Sequence, residues 1–142
     1  MPDLPFASCQ IVADPLKEAI DLAPAEGYFI EFGVCSGKTL RRLAEARPGK
    51  TIGLDTFTGL PEKWREQYPA GSFSQDGKIP DVPGADLIKG LFSETTKNLD
   101  VQSALVHIDC DLYQGAKDAL IWTKSHYVAG CIVLCDEIFA YD

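Results

Sequence analysis

The feature that most constrains this chain is a set of apolar runs that each stop at glycine or carboxylate residues. Glu31-Phe32-Gly33-Val34-Cys35-Ser36-Gly37 closes the first run, Asp55 the second, Asp109 and Asp111 a later one, and Asp136-Glu137 the last. Stretches with helical spacing of apolar residues lie between them. Strands that alternate with helices predict an α/β domain on a doubly wound, mainly parallel sheet, with right-handed crossovers. In such an open sheet, ligands bind in the crevice outside the carboxyl ends of the strands. One edge of one sheet is therefore expected to gather these glycines and acids.

The pattern between these points fills in the elements. Asp14-Pro15 opens a short helix to Asp21, because Asp is a good N-cap and Pro a good first residue, and Pro24 follows it. The segment 27–33 around Tyr28-Phe29-Ile30 reads as a buried strand. Lys38 to Arg47 carries Leu40, Leu43 and Ala44 at helical spacing and stops at Pro48-Gly49. Thr51 to Asp55 is a second strand. Residues 57–83 form a connection rich in Gly and Pro, with one helical turn expected around Glu62 to Gln67; a connection this long is usually functional. Asp86 to Gly90 is a third strand, and Ser93 is expected to cap a short helix to Leu99. Ser103 to Asp109 is the fourth strand. Gly115 to Tyr127 reads as a helix with Ala116, Ala119, Leu120 and Trp122 partly facing in, and Cys131 to Cys135 as the fifth strand. The expected strand order is 3-2-1-4-5.

The 142 residues suffice for a single domain, 1–142, with a real core. Lys and Arg total 13 against 21 Asp and Glu, a net charge of −8. That argues against a nucleic-acid surface, which needs clustered cations, and suits small molecules and cations. No apolar stretch is long enough to span a bilayer. The start, Met1-Pro2-Asp3-Leu4-Pro5, lacks the basic and apolar regions of a signal peptide. The five cysteines, Cys9, Cys35, Cys110, Cys131 and Cys135, show no zinc or redox spacing. Reduced thiols and a cytoplasmic location are expected.

Gly33 would let the backbone pass close to a ligand, and Gly37 would open a helix whose N–H groups face it. Asp55 follows Gly33 at nearly the spacing of an acid that accepts ribose hydroxyls. Together they favour a nucleoside-containing cofactor. Ser36-Gly37-Lys38-Thr39 also looks like the end of a phosphate-binding P-loop, but the required first Gly is replaced by Phe32. An NTPase is thus the alternative enzyme, and a non-catalytic interaction domain the alternative without chemistry. Asp109, Asp136 and Glu137 should meet at neighbouring strand ends. Three carboxylates at one point repel unless a cation or protons compensate, and oxygen ligands suit Mg²⁺, Mn²⁺ or Ca²⁺. Asp111 would support a ligand or act as a general base. His107 reads as a satisfied core histidine and His126 as a helix C-terminal cation. Trp64, Tyr68 and Phe73 would cover a ligand or anchor the long connection.

Several of these segments resemble the class I S-adenosylmethionine-dependent methyltransferases, and within them the macrocin O-methyltransferase-like family. They are Glu31-Phe32-Gly33-Val34 with Gly37, Asp55-Thr56-Phe57-Thr58-Gly59-Leu60-Pro61, His107-Ile108-Asp109-Cys110-Asp111-Leu112-Tyr113 and Asp136-Glu137. The resemblance implies that Glu31, Gly33 and Gly37 line the methionine end of the cofactor, Asp55 holds its ribose, and Leu91 and Phe92 lie near its adenine. It implies a Mg²⁺ site at Asp109, Asp136 and Glu137, where the ion would hold a substrate hydroxyl and lower its pKa. Asp109 and Asp111 are then the catalytic candidates, and the acceptor a small hydroxylated molecule such as a natural-product sugar. Leu112 stands where catechol-type relatives carry a lysine, so no lysine base is expected. Family members continue past the fifth strand into a hairpin. The chain is therefore expected to be a fragment or a minimal form, and its bare fifth strand to favour a homodimer.

Overall fold

The computed structural model describes residues 12–136. Helix α1 (Pro15–Leu22) starts as its sequence dictates: Asp14 accepts a hydrogen bond from the Lys17 N–H at 3.0 Å, and Pro15 takes the first turn. Strand β1 (Tyr28–Phe32), helix α2 (Lys38–Ala46) and strand β2 (Thr51–Asp55) follow. After the long connection come β3 (Ala85–Lys89), the short helix α3 (Phe92–Thr95) with a 3₁₀ turn at Thr96–Asn98, β4 (Ser103–Ile108), α4 (Tyr113–Thr123) and β5 (Tyr127–Cys135).

The sheet has five strands in the order β3-β2-β1-β4-β5, and every pairing is parallel. Alternate residues of β1 feed two cores. Phe29 packs with Leu16 of α1 and with Leu40 and Leu43 of α2. Ile30 and Phe32 pack with Leu54, Leu99 and Trp122. A strand buried on both faces reads as a continuous apolar run, as central parallel strands do. Glu31 is the exception, fully buried within that run.

Four local expectations are corrected. Residues 62–67 form no helical turn; the Tyr68 N–H donates to the Arg65 carbonyl, and an isolated bridge joins the same two residues. Ser93 caps nothing, because α3 begins one residue earlier with Leu91 at its N-cap. Helix α4 begins at Tyr113 and stops at Thr123. Tyr127 already belongs to β5, since the Ser103 N–H reaches the His126 carbonyl at 2.9 Å and draws the chain into the sheet. His126 falls near the C-terminus of α4, as expected, with its ring stacked on Trp122 at 4.8 Å and Nδ1 donating to the Trp122 carbonyl. Ala119 and Trp122 face in as expected, whereas Leu120 is 48% exposed. No described helix is long and apolar enough to cross a membrane.

Candidate active site

The chain reversal between β1 and β4 leaves a crevice at the carboxyl ends of the strands. A cavity of about 670 Å³ lies there, a size typical of small-molecule sites. Gly33, Asp55, Leu91, Phe92, Asp109 and Asp111 all line it. Glu31, inside β1, and Gly37, at the start of α2, are not among the lining residues.

The turn after β1 is held by Asp55. Its Oδ2 accepts the Val34 and Cys35 N–H groups, both at 2.8 Å, and Oδ1 accepts that of Phe57 at 2.8 Å. Cys35 and Phe57 pay for this fit with left-handed backbone, φ 50° and 58°. Gly33 has φ 93°, and a Cβ there would lie 1.9 Å from the Asp109 carbonyl oxygen. The close approach expected at this glycine is therefore to the β4 turn. Gly37 opens α2 with φ 78°, and a Cβ there would meet Val82 at 2.8 Å. No signal in the sequence pointed to Gly115, in the first turn of α4. A Cβ on it would crowd Cys110 at 3.1 Å and Phe92 at 3.3 Å, both of them lining residues.

Below the crevice, β1 and β4 bring Glu31 opposite His107. His107 Nδ1 and Glu31 Oε1 are 2.9 Å apart, and both side chains are buried. Burial disfavours the charged imidazole, but the Glu31 carboxylate outweighs it, with Asp109 and Asp136 adding to the pull, so the His107 pKa is raised. Glu31 Oε2 is buried with no partner among the described residues.

Asp109 and Asp136 extend β4 and β5 by one residue each: the Asp109 N–H donates to Phe32 and the Asp136 N–H to Ile108, both at 2.9 Å. The two residues are thus neighbours at the sheet edge. Burial pushes the Asp109 pKa up to about 7; His107 opposes the rise and Asp136 reinforces it. The expected meeting of these two acids thus occurs. Glu137 lies outside the described residues, and among those described no group of three His, Cys, Asp or Glu could hold a metal ion. Asp111 follows in left-handed backbone, φ 62°. Cys110 is no nucleophile: burial first, then Asp111 and Asp109, raise its thiol pKa to about 12.

A Rossmann-like parallel sheet with a cavity at its switch point defines a doubly wound α/β protein. The chain belongs to a family described as "Methyltransferase domain", whose model matches residues 30–138. Its fold is similar to the crystal structure of CalS11, a calicheamicin methyltransferase, with TM-score 0.69 and 24% identity over 87% of this chain and 62% of that one. It is also similar to the O-methyltransferase NovP, with TM-score 0.63 and 18% identity over 85% and 63% of the two chains. An apo structure of CalS11, described as a TDP-rhamnose 3′-O-methyltransferase, matches with TM-score 0.58 and 24% identity over 87% and 60%. The chain therefore spans less than two thirds of the length of these neighbours. No curated protein sequence matches it.

Proposed function

We propose that this chain carries the cofactor-binding core of an S-adenosylmethionine-dependent O-methyltransferase, assisted by Mg²⁺, for a small hydroxylated acceptor. The supporting observation is one cavity, in a chain of the methyltransferase domain family, lined by Gly33, Asp55, Phe92 and Asp109. When bound, the cofactor supplies a methyl carbon on a sulfonium leaving group, which the acceptor oxygen attacks in line. Asp55 fixes the turn that meets the cofactor and keeps lone pairs for its ribose. Phe92 offers an apolar surface to its adenine. Asp109 or Asp111 takes the proton of the acceptor hydroxyl, and much of the rate comes from positioning.

Asp109 and Asp136 follow the paired strands β4 and β5 where oxygen ligands for a cation are expected, and a carboxylate pair suits a hard divalent ion. Glu137 would be the third ligand. The ion would acidify the acceptor hydroxyl. A sugar acceptor is favoured by the resemblance and by what CalS11 is described as methylating.

Thermal melts test both parts. Saturating S-adenosylhomocysteine should raise the Tm; at a hundredfold excess over Kd the linkage is about 2.7 kcal/mol. Asp136→Ala should keep this shift and lose any shift caused by Mg²⁺, whereas Asp55→Ala should weaken the first. Full turnover by Asp136→Ala in the presence of a chelator would remove the metal from the mechanism.

A further inference from the structure

We propose, resting on the methyltransferase reading of the cavity, that its acceptor is an uncharged hydroxylated ring seated against a stack of Trp64, Tyr68 and Phe73. The long connection presents these three side chains to the cavity. They are already assembled. Trp64 and Tyr68 stack with ring centres 5.3 Å apart, and Tyr68 and Phe73 lie 5.2 Å apart at 32°. The Arg65 guanidinium lies on Trp64, 4.0 Å from the ring centre. Backbone bonds hold the stack in place: the Trp64 N–H donates to Tyr68, Leu60 to Ser72 and Gly71 to Leu60.

Core packing does not explain Phe73. It is 45% exposed and sits in left-handed backbone with φ 64°, a conformation that costs a bulky residue free energy. An exposed aromatic kept in strained backbone at a cavity wall is placed for a ligand. The Trp64 indole N–H and the Tyr68 hydroxyl make no hydrogen bond among the described residues. Both remain able to serve oxygens on a hydroxylated ring, the usual division of an aromatic wall with a polar tip.

Charge narrows the choice. Asp55, Glu62, Asp109, Asp111 and Asp118 line the cavity, and among the described residues no lining one is Lys, Arg or His. Asp55 is engaged by backbone N–H groups. Away from the strand-end acids proposed to hold the cation, a diphosphate would still meet Glu62 and Asp118 with no Lys, Arg or His among the described lining residues to pair with, which selects against it. A flat ring with neutral hydroxyls meets no such penalty.

The chain has two tryptophans. Trp122 is 5% exposed, with its N–H bonded to the Leu99 carbonyl. Trp64 fluorescence therefore reports the stack, with Trp64→Phe as the control. The full chain, with and without S-adenosylhomocysteine, is titrated with catechol, methyl rhamnoside and TDP-rhamnose. At least one uncharged ring should change Trp64 emission and bind at least tenfold tighter than TDP-rhamnose; the two uncharged arms separate a phenolic from a sugar acceptor. Phe73→Ser should weaken that ring about tenfold, the scale of one aromatic contact, and leave S-adenosylhomocysteine affinity unchanged. Tighter binding of TDP-rhamnose would overturn the proposal. So would ring binding that is silent in Trp64 emission, or no ring binding at millimolar concentration. Calorimetry with S-adenosylhomocysteine on the same sample reports separately on the cofactor reading.

Discussion

Asp55 accepts three backbone N–H groups, from Val34, Cys35 and Phe57, while standing at the lip of the cavity. Removing the carboxylate strands these donors as well as any ribose. Asp55→Ala is expected to cost about 2–4 kcal/mol of stability, beyond its effect on cofactor affinity, and urea denaturation measures the first separately. Gly33→Ala should be worse, because its methyl would collide with the backbone oxygen of Asp109 at φ 93°; a loss of at least about 3 kcal/mol is expected by the same measurement. Asp109 sets a pH dependence. Burial raises its pKa from the ordinary 3.8 to about 7 in the folded state, which therefore holds an extra proton between these values. With a chelator present, this group's contribution is full below pH 3.8 and is lost as pH rises through about 7. Asp109→Asn should flatten the fall in stability over that window, as followed by thermal melts. The acids at the strand ends were legible in the sequence because their positions follow from where apolar runs stop. The pairing of Glu31 with His107 was not, since it depends on the register of β1 against β4. The bracing by Asp55 was not either, since it depends on left-handed backbone at the non-glycine residues Cys35 and Phe57.

The long connection between β2 and β3 is the element most tied to function and the least readable in advance. It has no regular period, and its shape comes from long-range bonds. The Arg41 guanidinium donates to the carbonyls of Ser36 and Asp81, both at 3.0 Å, clipping the connection to α2. Lys89 Nζ donates to the Gly77 carbonyl at 2.7 Å. Arg41→Ala should cost only about 1 kcal/mol globally while speeding amide exchange in residues 57–84, as hydrogen-exchange mass spectrometry would show. Helix ends were misjudged for a related reason. The N-cap residues of α3 and α4 are Leu91 and Leu112, which offer no side-chain cap, so Ser93 and Gly115 drew the boundary instead. β1, β2 and β4 were clear because apolar continuity alone defines a strand buried on both faces.

At the scale of the molecule, sheet order was readable because right-handed crossovers leave few ways to wind alternating strands and helices. β5 is an outer strand among the described residues, and Tyr127 and Val133 on it are exposed. Self-association through this strand is expected, with light scattering giving a mass that rises with concentration; a constant monomer mass would contradict it. The cavity joins the ends of β1, β2, β3 and β4, so its chemistry is a property of the whole sheet edge. The most direct test of that chemistry is calorimetric titration of the full chain with S-adenosylhomocysteine and, separately, with ATP. Saturable one-to-one binding of S-adenosylhomocysteine, weakened by Asp55→Ala, with no heat from ATP, is the expected result. Binding of ATP without binding of S-adenosylhomocysteine would contradict the methyltransferase assignment of the cavity.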